Sequence, residues 1–230
     1  PRRAPCSGAR APATPAGAAR ARASGGGSPA PDRPALLKTF NDDLPRIPAI
    51  EKARGRGRDR DGRVTVRLLA LRVQFRPDDD VRSTGDGTFD YSEWDGATFD
   101  GPPHDREYFE LHMTALENYY ESVSYGRLDL EFDVAPADTR SAYTLPHDMG
   151  FYHDYSEEQV WYVSQVEEFT RDAFAAADTM DSIDFSRYDG YVLFHAGADW
   201  QSDINYDSPF DLPSAHIMLG EPIVVDDGAV

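Results

Sequence analysis

Alternating apolar and polar positions mark the first strand-like stretch of this chain, which begins near residue 64. The apolar residues follow one parity and then change to the other, in the order Val64, Val66, Leu68, Leu69, Leu71, Val73 and Phe75. A change of parity inside one strand indicates either a β-bulge or a strand that is buried on both faces. The pattern therefore predicts a strand and leaves those two forms open.

A helix is predicted next, from Asp105 to Tyr125. Asp105 is a favoured N-cap residue, and Gly126 is a typical residue for ending a helix. Apolar residues at spacings of three and four predict one buried face, made of Phe109, Met113, Leu116, Tyr120 and Val123. Residues 128–134 then alternate strictly between apolar and acidic, which predicts a strand with one buried face.

A second helix and two further strands complete the pattern. The helix is predicted to open at a capping box, Ser156 to Gln159, and its apolar stripe continues to Ala177. The apolar run 191–194 has the composition of a buried strand, and the run 215–219 is predicted to form an outer strand. This order of elements predicts an α/β (α+β) domain with a mixed twisted sheet and two packing helices.

Charge divides the chain into two parts. Residues 1–63 carry 14 Lys+Arg and 6 Asp+Glu, whereas residues 64–230 carry 9 and 35. The first part is rich in Ala, Pro, Gly and Arg, which predicts a disordered tail and linker over 1–63. The strongly acidic second part, 64–230, repels nucleic acid and anionic membranes, so neither is an expected partner. No apolar run approaches the roughly 18 residues that a membrane span requires.

The polar loop after residue 195 carries the candidate chemistry. Its aspartates recur every fourth position, at Asp199, Asp203, Asp207 and Asp211. Two interpretations remain open: calcium binding by clustered carboxylates, and a hydrated acidic loop shaped by Asp turns. His195, at the end of the predicted buried strand, is interpreted as hydrogen-bonding the loop carboxylates and ordering the turn that follows.

Several separated phrases of this sequence resemble one known family. They are LRVQFRPDD (71–79), FDGPPHDREYF (99–109), YYESVSYGRL (119–128), HAGADWQSD (195–203), SPFDLPSAHI (208–217) and LGEPIVVDDG (219–228). In this order they resemble the catalytic domain of the immune inhibitor A-like family of secreted zinc metallopeptidases. The His-Glu-x-x-His motif that defines the family does not occur in this chain.

The resemblance implies a zincin-like fold that is incomplete at its C-terminus, because the zinc-binding helix would follow the last residue. The chain would then be the N-terminal part of a secreted, monomeric endopeptidase, with a peptide or protein as its substrate and no activity alone. Zinc would belong to the full-length enzyme. An extended substrate would pair with an edge strand that includes Ser214, Ala215, His216 and Ile217. Because a propeptide precedes the catalytic domain in this family, a maturation cut between Ala49 and Val64 is a further expectation.

Two alternatives remain open at this stage. The chain could be a non-catalytic acidic module that binds calcium or a surface, with the four loop aspartates as ligands. It could also be an unrelated hydrolase that uses His195, although no Gly-x-Ser-x-Gly elbow accompanies that residue.

Overall fold

The computed structural model of the protein describes residues 47–93, 96, 101–153, 163–217, 219, 221–225 and 228–229. The helices are α1 (Pro48–Gly55), α2 (Arg106–Val123), α3 (Met149–Tyr152) and α4 (Val163–Met180). The strands are β1 (Val64–Gln74), β2 (Leu128–Ala135), β3 (Tyr143–Thr144), β4 (Gly190–His195), β5 (Val224–Val225) and β6 (Gly228–Ala229). Short 3₁₀ turns at Phe185–Arg187 and Trp200–Ser202 precede and follow β4.

β1 is the central strand of a four-stranded sheet. Residues 64–71 pair in parallel with β2, and residues 68–73 pair in parallel with β4, so β2 and β4 lie on opposite edges of β1. Val73 pairs with both β3 and β4, which places β3 beyond β2 on the same edge. The antiparallel pair β5–β6 is separate from this sheet.

The predicted α/β class is confirmed, but the prediction of a mixed sheet is wrong for the described strands. Every described ladder of the four-stranded sheet is parallel. Parallel pairing requires a long crossover between strands. Helix α2 provides that crossover between β1 and β2, and α4 lies in the segment that leads to β4.

Of the two predicted forms of β1, the structure has the strand that is buried on both faces. Its pairing with β2 is continuous and contains no bulge. Leu69, Leu71 and Val73 belong to the core cluster that also contains residues of α4. Ala70 faces the opposite cluster, where it meets residues of α2. The sheet is therefore covered on both faces, as parallel sheets generally are.

Helix α2 follows its predicted pattern at every apolar position except the last. The Asp105 carboxylate accepts a hydrogen bond from Tyr108 N–H at 3.2 Å, which confirms the predicted N-cap. Phe109 and Met113 are buried, whereas Val123 is 50% exposed. Val123 escapes the core because it lies in the last turn of the helix. Within the described residues, no helix combines the length and apolar character needed to cross a membrane.

Helix α1 lies inside the segment that the sequence predicts to be disordered, so that prediction is wrong for residues 48–55. Ala53 is only 1% exposed and packs with Val64, Val66 and Leu130. Gly190, at the start of β4, lets Ala49 of α1 lie close to β4, because an added Cβ would be 3.1 Å from the Ala49 Cβ. Tertiary contact rather than local propensity stabilises this short helix. Residues 1–46 lie outside the described part of the chain.

An ion pair anchors the end of α1 to the start of β4. The Arg56 guanidinium donates to both carboxylate oxygens of Asp189, and Arg67 N–H donates to Asp189 Oδ2 at 2.8 Å. Lys52 Nζ donates to the Tyr188 carbonyl at 2.6 Å. Burial by itself raises the pKa of Asp189, but these hydrogen bonds and the nearby cations outweigh it. The pKa of Asp189 is therefore held below its usual value.

Arg72 is a buried cation within β1, although charged residues are seldom fully buried in proteins unless they are paired. Its side chain is fully buried on the α2 side of the sheet and donates to three carbonyl oxygens, those of Pro136, Asp138 and Thr139. Burial lowers its pKa. Because three carbonyl dipoles face the guanidinium, the loop that follows β2 is bound firmly to the central strand.

The predicted strand at 215–219 is wrong for its described residues, which are irregular. Side chains hold the backbone at the start of this segment: Ser214 N–H donates to Asp199 Oδ1 at 2.9 Å and to Gln201 Oε1 at 3.0 Å. Gln201 Nε2 donates in turn to the Ser214 carbonyl at 2.8 Å. The predicted capping box at Ser156 and Gln159 lies outside the described residues.

Asp189→Asn should lower the free energy of unfolding by about 2 kcal/mol near pH 7, because it removes a buried charge-assisted acceptor of three donors. Urea unfolding measures this change. Glu131→Gln is the matched control: Glu131 pairs with Arg67 at 2.9 Å, but both side chains are about half exposed, so the loss should stay below about 1 kcal/mol.

The effect of Asp189→Asn should also depend on pH. A carboxyl whose folded pKa is lowered contributes stability above its unfolded pKa of about 4, and this contribution is lost as pH falls through the folded pKa. The difference between wild type and Asp189→Asn should therefore shrink below about pH 4. If Asp189→Asn and the Glu131→Gln control lower the free energy of unfolding equally at pH 7, the buried bonds of Asp189 to Arg56 and Arg67 do not stabilise the fold as expected.

Candidate functional site

The candidate site lies beyond the carboxyl ends of β1 and β4. The chain leaves β1 toward β2 on one edge, whereas β4 occupies the other edge. In open α/β sheets, ligands bind at such a change of direction, outside the carboxyl ends of the strands. The loop after β1 (75–92) and the loop after β4 (196–217) meet at this position through a hydrogen bond from Phe210 N–H to the Arg82 carbonyl at 2.8 Å.

A polar cavity of about 230 Å³ lies between these two loops. Its lining consists of Thr84, Ala198, Ser202, Asp203, Ile204, Asn205, Asp207, Ser208 and Asp211. All of these residues except Ala198 and Ile204 have an oxygen atom in the side chain. The lining contains three carboxylates and no Lys or Arg. Such a cavity favours a cationic guest over an anionic or apolar one.

Asp211 joins the two loops. Its side chain is fully buried, with Oδ1 accepting from Thr84 N–H and Oδ2 from the Thr84 hydroxyl, both at 2.7 Å. The Asp211 carbonyl accepts a further hydrogen bond from His153 Nδ1 at 2.8 Å. A buried carboxylate with two good donors is well satisfied. The role that these bonds give Asp211 is structural: it holds the loop after β1 against the loop after β4.

The other predicted calcium ligands have different environments. Asp199 caps the turn at Trp200–Ser202 and lies outside the cavity lining. The carboxylate of Asp203 accepts from the backbone N–H groups of Asp207 and Ser208, each at 3.2 Å. The carboxylate of Asp207 has no hydrogen-bond donor in the described part of the chain. Asp199 and Asp203 therefore act as the interpretation of an acidic loop shaped by Asp turns expects, since both accept hydrogen bonds from nearby backbone N–H groups.

Metal-ligand geometry can be assessed only for the part of the chain that the structure describes. Within it, no group of three or more His, Cys, Asp or Glu side chains is arranged to hold a metal. Asp203, Asp207 and Asp211 line one cavity, but two of these carboxylates already accept backbone hydrogen bonds. A calcium ion here would need Ser and Asn oxygens and water as additional ligands, which calcium accepts. Calcium binding by the loop stays a prediction.

His195 orders the turn after β4, but through a carbonyl rather than through the loop carboxylates. Its Nδ1 donates to the Ala196 carbonyl at 2.8 Å, which leaves Nε2 as the acceptor nitrogen. The ring lies among the aromatic side chains of Phe75 and Phe169, at centroid distances of 6.1 and 6.2 Å. Burial lowers the pKa of His195, so the imidazole is neutral at pH 7.

Gly197 allows the loop after β4 to approach α3 closely. Its φ of +88° lies in the left-handed region, and an added Cβ would be 2.2 Å from the Met149 Cε atom. The same Cβ would lie 3.4 Å from the Thr84 carbonyl oxygen. A larger residue at this position would strain the left-handed backbone and would require the Met149 side chain to move.

The predicted substrate-binding residues lie beside the cavity rather than on a strand. Ser214, Ala215 and His216 are exposed, and Ile217 is partly buried. The backbone N–H and carbonyl of Ser214 both bond to side chains of the loop after β4. Any pairing with an extended peptide would therefore begin at Ala215.

Sequence reasoning missed Thr84 and Gly197 as parts of this site. Thr84 is 127 positions from the carboxylate that it binds, and nothing in its own loop indicates that partner. Gly197 carries a weak signal, because a glycine directly after a strand often marks a close backbone approach. The aspartates themselves were found because they recur at a regular spacing.

Comparison with known proteins leaves the site to be interpreted from its own geometry. No family model, no curated protein and no solved structure matches this chain.

Asp211→Asn should lower the free energy of unfolding by about 2 kcal/mol, because an amide presents one acceptor oxygen where the carboxylate presents two. It should also speed hydrogen exchange at the Thr84 amide. In a double-mutant cycle with Thr84→Val, measured by urea unfolding, the two losses should be less than additive.

Thr88→Val is the matched control for that cycle. The Thr88 hydroxyl donates to Asp86 Oδ1 at 2.6 Å, the same chemistry in an exposed position. Its loss should cost less than about 0.5 kcal/mol. If the losses in free energy of unfolding caused by Asp211→Asn and Thr84→Val are strictly additive, the two side chains do not stabilise the protein through their mutual hydrogen bonds.

Proposed function

We propose that this chain forms part of the catalytic domain of a secreted, zinc-dependent endopeptidase with a zincin-like fold. One observation supports the proposal most directly. Three of the phrases that resemble the immune inhibitor A-like family, 71–79, 195–203 and 208–217, are bonded to one another at the carboxyl ends of β1 and β4. Ala196 N–H donates to the Val73 carbonyl at 3.0 Å, and Trp200 N–H donates to the Leu212 carbonyl at 3.0 Å.

Because these three segments are in contact, their resemblance to the family applies to one continuous region of the structure, which supports a shared binding site. Phrases that are far apart in sequence but adjacent in space are what a shared binding cleft requires. In this proposal the sheet and its two loops are the wall against which an extended peptide lies, with Ala215, His216 and Ile217 nearest to its backbone.

A catalytic zinc site is not found among the residues that the structure describes. The sequence lacks His-Glu-x-x-His, and in the described part of the chain no three His, Cys, Asp or Glu side chains are grouped to hold a metal ion. A catalytic zinc ion needs three protein ligands that converge on it. The proposal therefore assigns the zinc ligands to residues outside these 230, and no step of peptide hydrolysis is assigned to this chain.

The zinc content of two purified proteins tests this function. The 230-residue chain should hold no stoichiometric zinc after exposure and dialysis and should not hydrolyse casein. A longer product, translated beyond Val230, should contain His-Glu-x-x-His within roughly the next hundred residues. It should hold one zinc ion, and chelation should abolish its activity. Stoichiometric zinc in the shorter chain, or a stop codon directly after Val230, would contradict the proposal.

A second candidate function, a non-catalytic calcium-binding module, is favoured by the charge of the cavity. Its lining holds three carboxylates without a basic residue, and the carboxylate of Asp207 accepts no hydrogen bond from the described residues. A bound cation would offset the repulsion among these charges.

Calcium should raise the melting temperature of the chain if this second function holds, by an amount equivalent to about 2.7 kcal/mol at a hundred times the dissociation constant. Asp207→Asn should reduce this shift. Asp61→Asn, which removes the same charge from an exposed turn far along the chain, should not change it. An unchanged melting temperature on addition of calcium to the chelator-treated wild type would exclude calcium binding.

A further inference from the structure

Two residues other than glycine have a positive φ angle in the described part of the chain, and both are tyrosines. Tyr125 has a φ of +56° and Tyr206 has a φ of +58°. This left-handed conformation brings the Cβ atom too close to the following carbonyl oxygen, so it is costly for a tyrosine. Residues strained in this way cluster at functional sites, where the surrounding structure holds them in place.

The backbone of Tyr125 is explained by the end of helix α2. Tyr125 N–H donates to the Ser122 carbonyl at 3.1 Å, and Gly126 N–H donates to the Glu121 carbonyl at 2.8 Å. Many helices end with this pair of bonds, which places the first residue after the C-cap in the left-handed conformation. The strain at Tyr125 therefore belongs to an ordinary helix ending.

Tyr206 is not at the end of an α-helix but in the loop after β4. Asn205 and Asp207, on either side of it, both line the cavity. The Asp203 carboxylate accepts hydrogen bonds from Asp207 N–H and Ser208 N–H, each at 3.2 Å, and so fixes the backbone directly after Tyr206. Asp203 thus helps to hold a strained residue at the border of the cavity.

The side chain of Tyr206 contributes little to the folded state. It is 87% exposed, and no hydrogen bond or ring contact within the described residues fixes it. Glycine would adopt the same backbone conformation at lower cost. A tyrosine that is strained in its backbone and gains nothing through burial is better suited to contact with another molecule than to folding.

The cavity lining indicates the kind of molecule. Beside its carboxylates it contains two apolar side chains, Ala198 and Ile204. A calcium ion binds oxygen atoms only, whereas lysine and arginine have an apolar stem that ends in a cation. A tyrosine at the border adds to this match, because the face of its ring attracts a cation.

We propose that Tyr206 is a substrate-contacting residue, whose ring packs on a lysine or arginine side chain that enters the cavity from a bound peptide. The stem of this side chain lies along Ile204, and its cation lies near the carboxylates of Asp203 and Asp207. The inference rests on the proposed peptidase function, to which it adds a preference for a basic residue in the substrate.

An NMR titration of the isotope-labelled 230-residue chain tests this inference. The probe is the peptide Ala-Ala-Lys-Ala-Ala with blocked termini, and the control peptide has Glu in place of Lys. The lysine peptide should shift the amide signals of residues 198–211. Tyr206→Gly should raise its dissociation constant about five-fold, whereas Tyr206→Phe keeps the ring and should bind like the wild type.

Tyr125→Gly is the matched control, because Tyr125 has the same backbone conformation and is 89% exposed, but lies at the end of α2. Both glycine variants should raise the urea midpoint of unfolding, since each relieves a left-handed tyrosine and removes almost no buried surface. Only the Tyr206 variant should weaken peptide binding.

Two outcomes would overturn the inference, even if the longer product proves to be a zinc peptidase. One is unchanged binding of the lysine peptide by Tyr206→Gly, and the other is a set of shifts that is the same for the lysine and glutamate peptides. The two proposals fail separately, because a stop codon directly after Val230 contradicts the peptidase but does not change the titration.

Discussion

Strand β1 is hydrogen-bonded along both edges while its side chains are buried on both faces. Because the ladders on its two sides are parallel, each neighbouring strand begins at the same end of the sheet as β1 does. All of the loops that follow these strands therefore meet at one end. The position of the candidate site results from this constraint before any loop residue is considered.

Buried carboxylates attach neighbouring segments of the chain to both ends of this sheet. Asp189, at the amino end of β4, binds Arg56 and so fixes α1. Asp211, beyond the carboxyl end, binds Thr84 and so joins the loop after β1 to the loop after β4. In a chain with a formal net charge of −18, some acidic residues thus have defined structural roles, whereas others, such as Asp207, remain available for a ligand.

Periodic patterns determined much of the fold from sequence alone. The alternation in β2, the N-cap at Asp105 and the buried face of α2 are local patterns, so neighbouring residues suffice to specify them. Tertiary structure decided the rest. Helix α1 is too short to be stable without Ala53 in the core, and Asp211 meets Thr84 only after the sheet brings their loops together. The irregular path at Ser214 depends on side chains 13 and 15 positions earlier, which no short window of sequence contains.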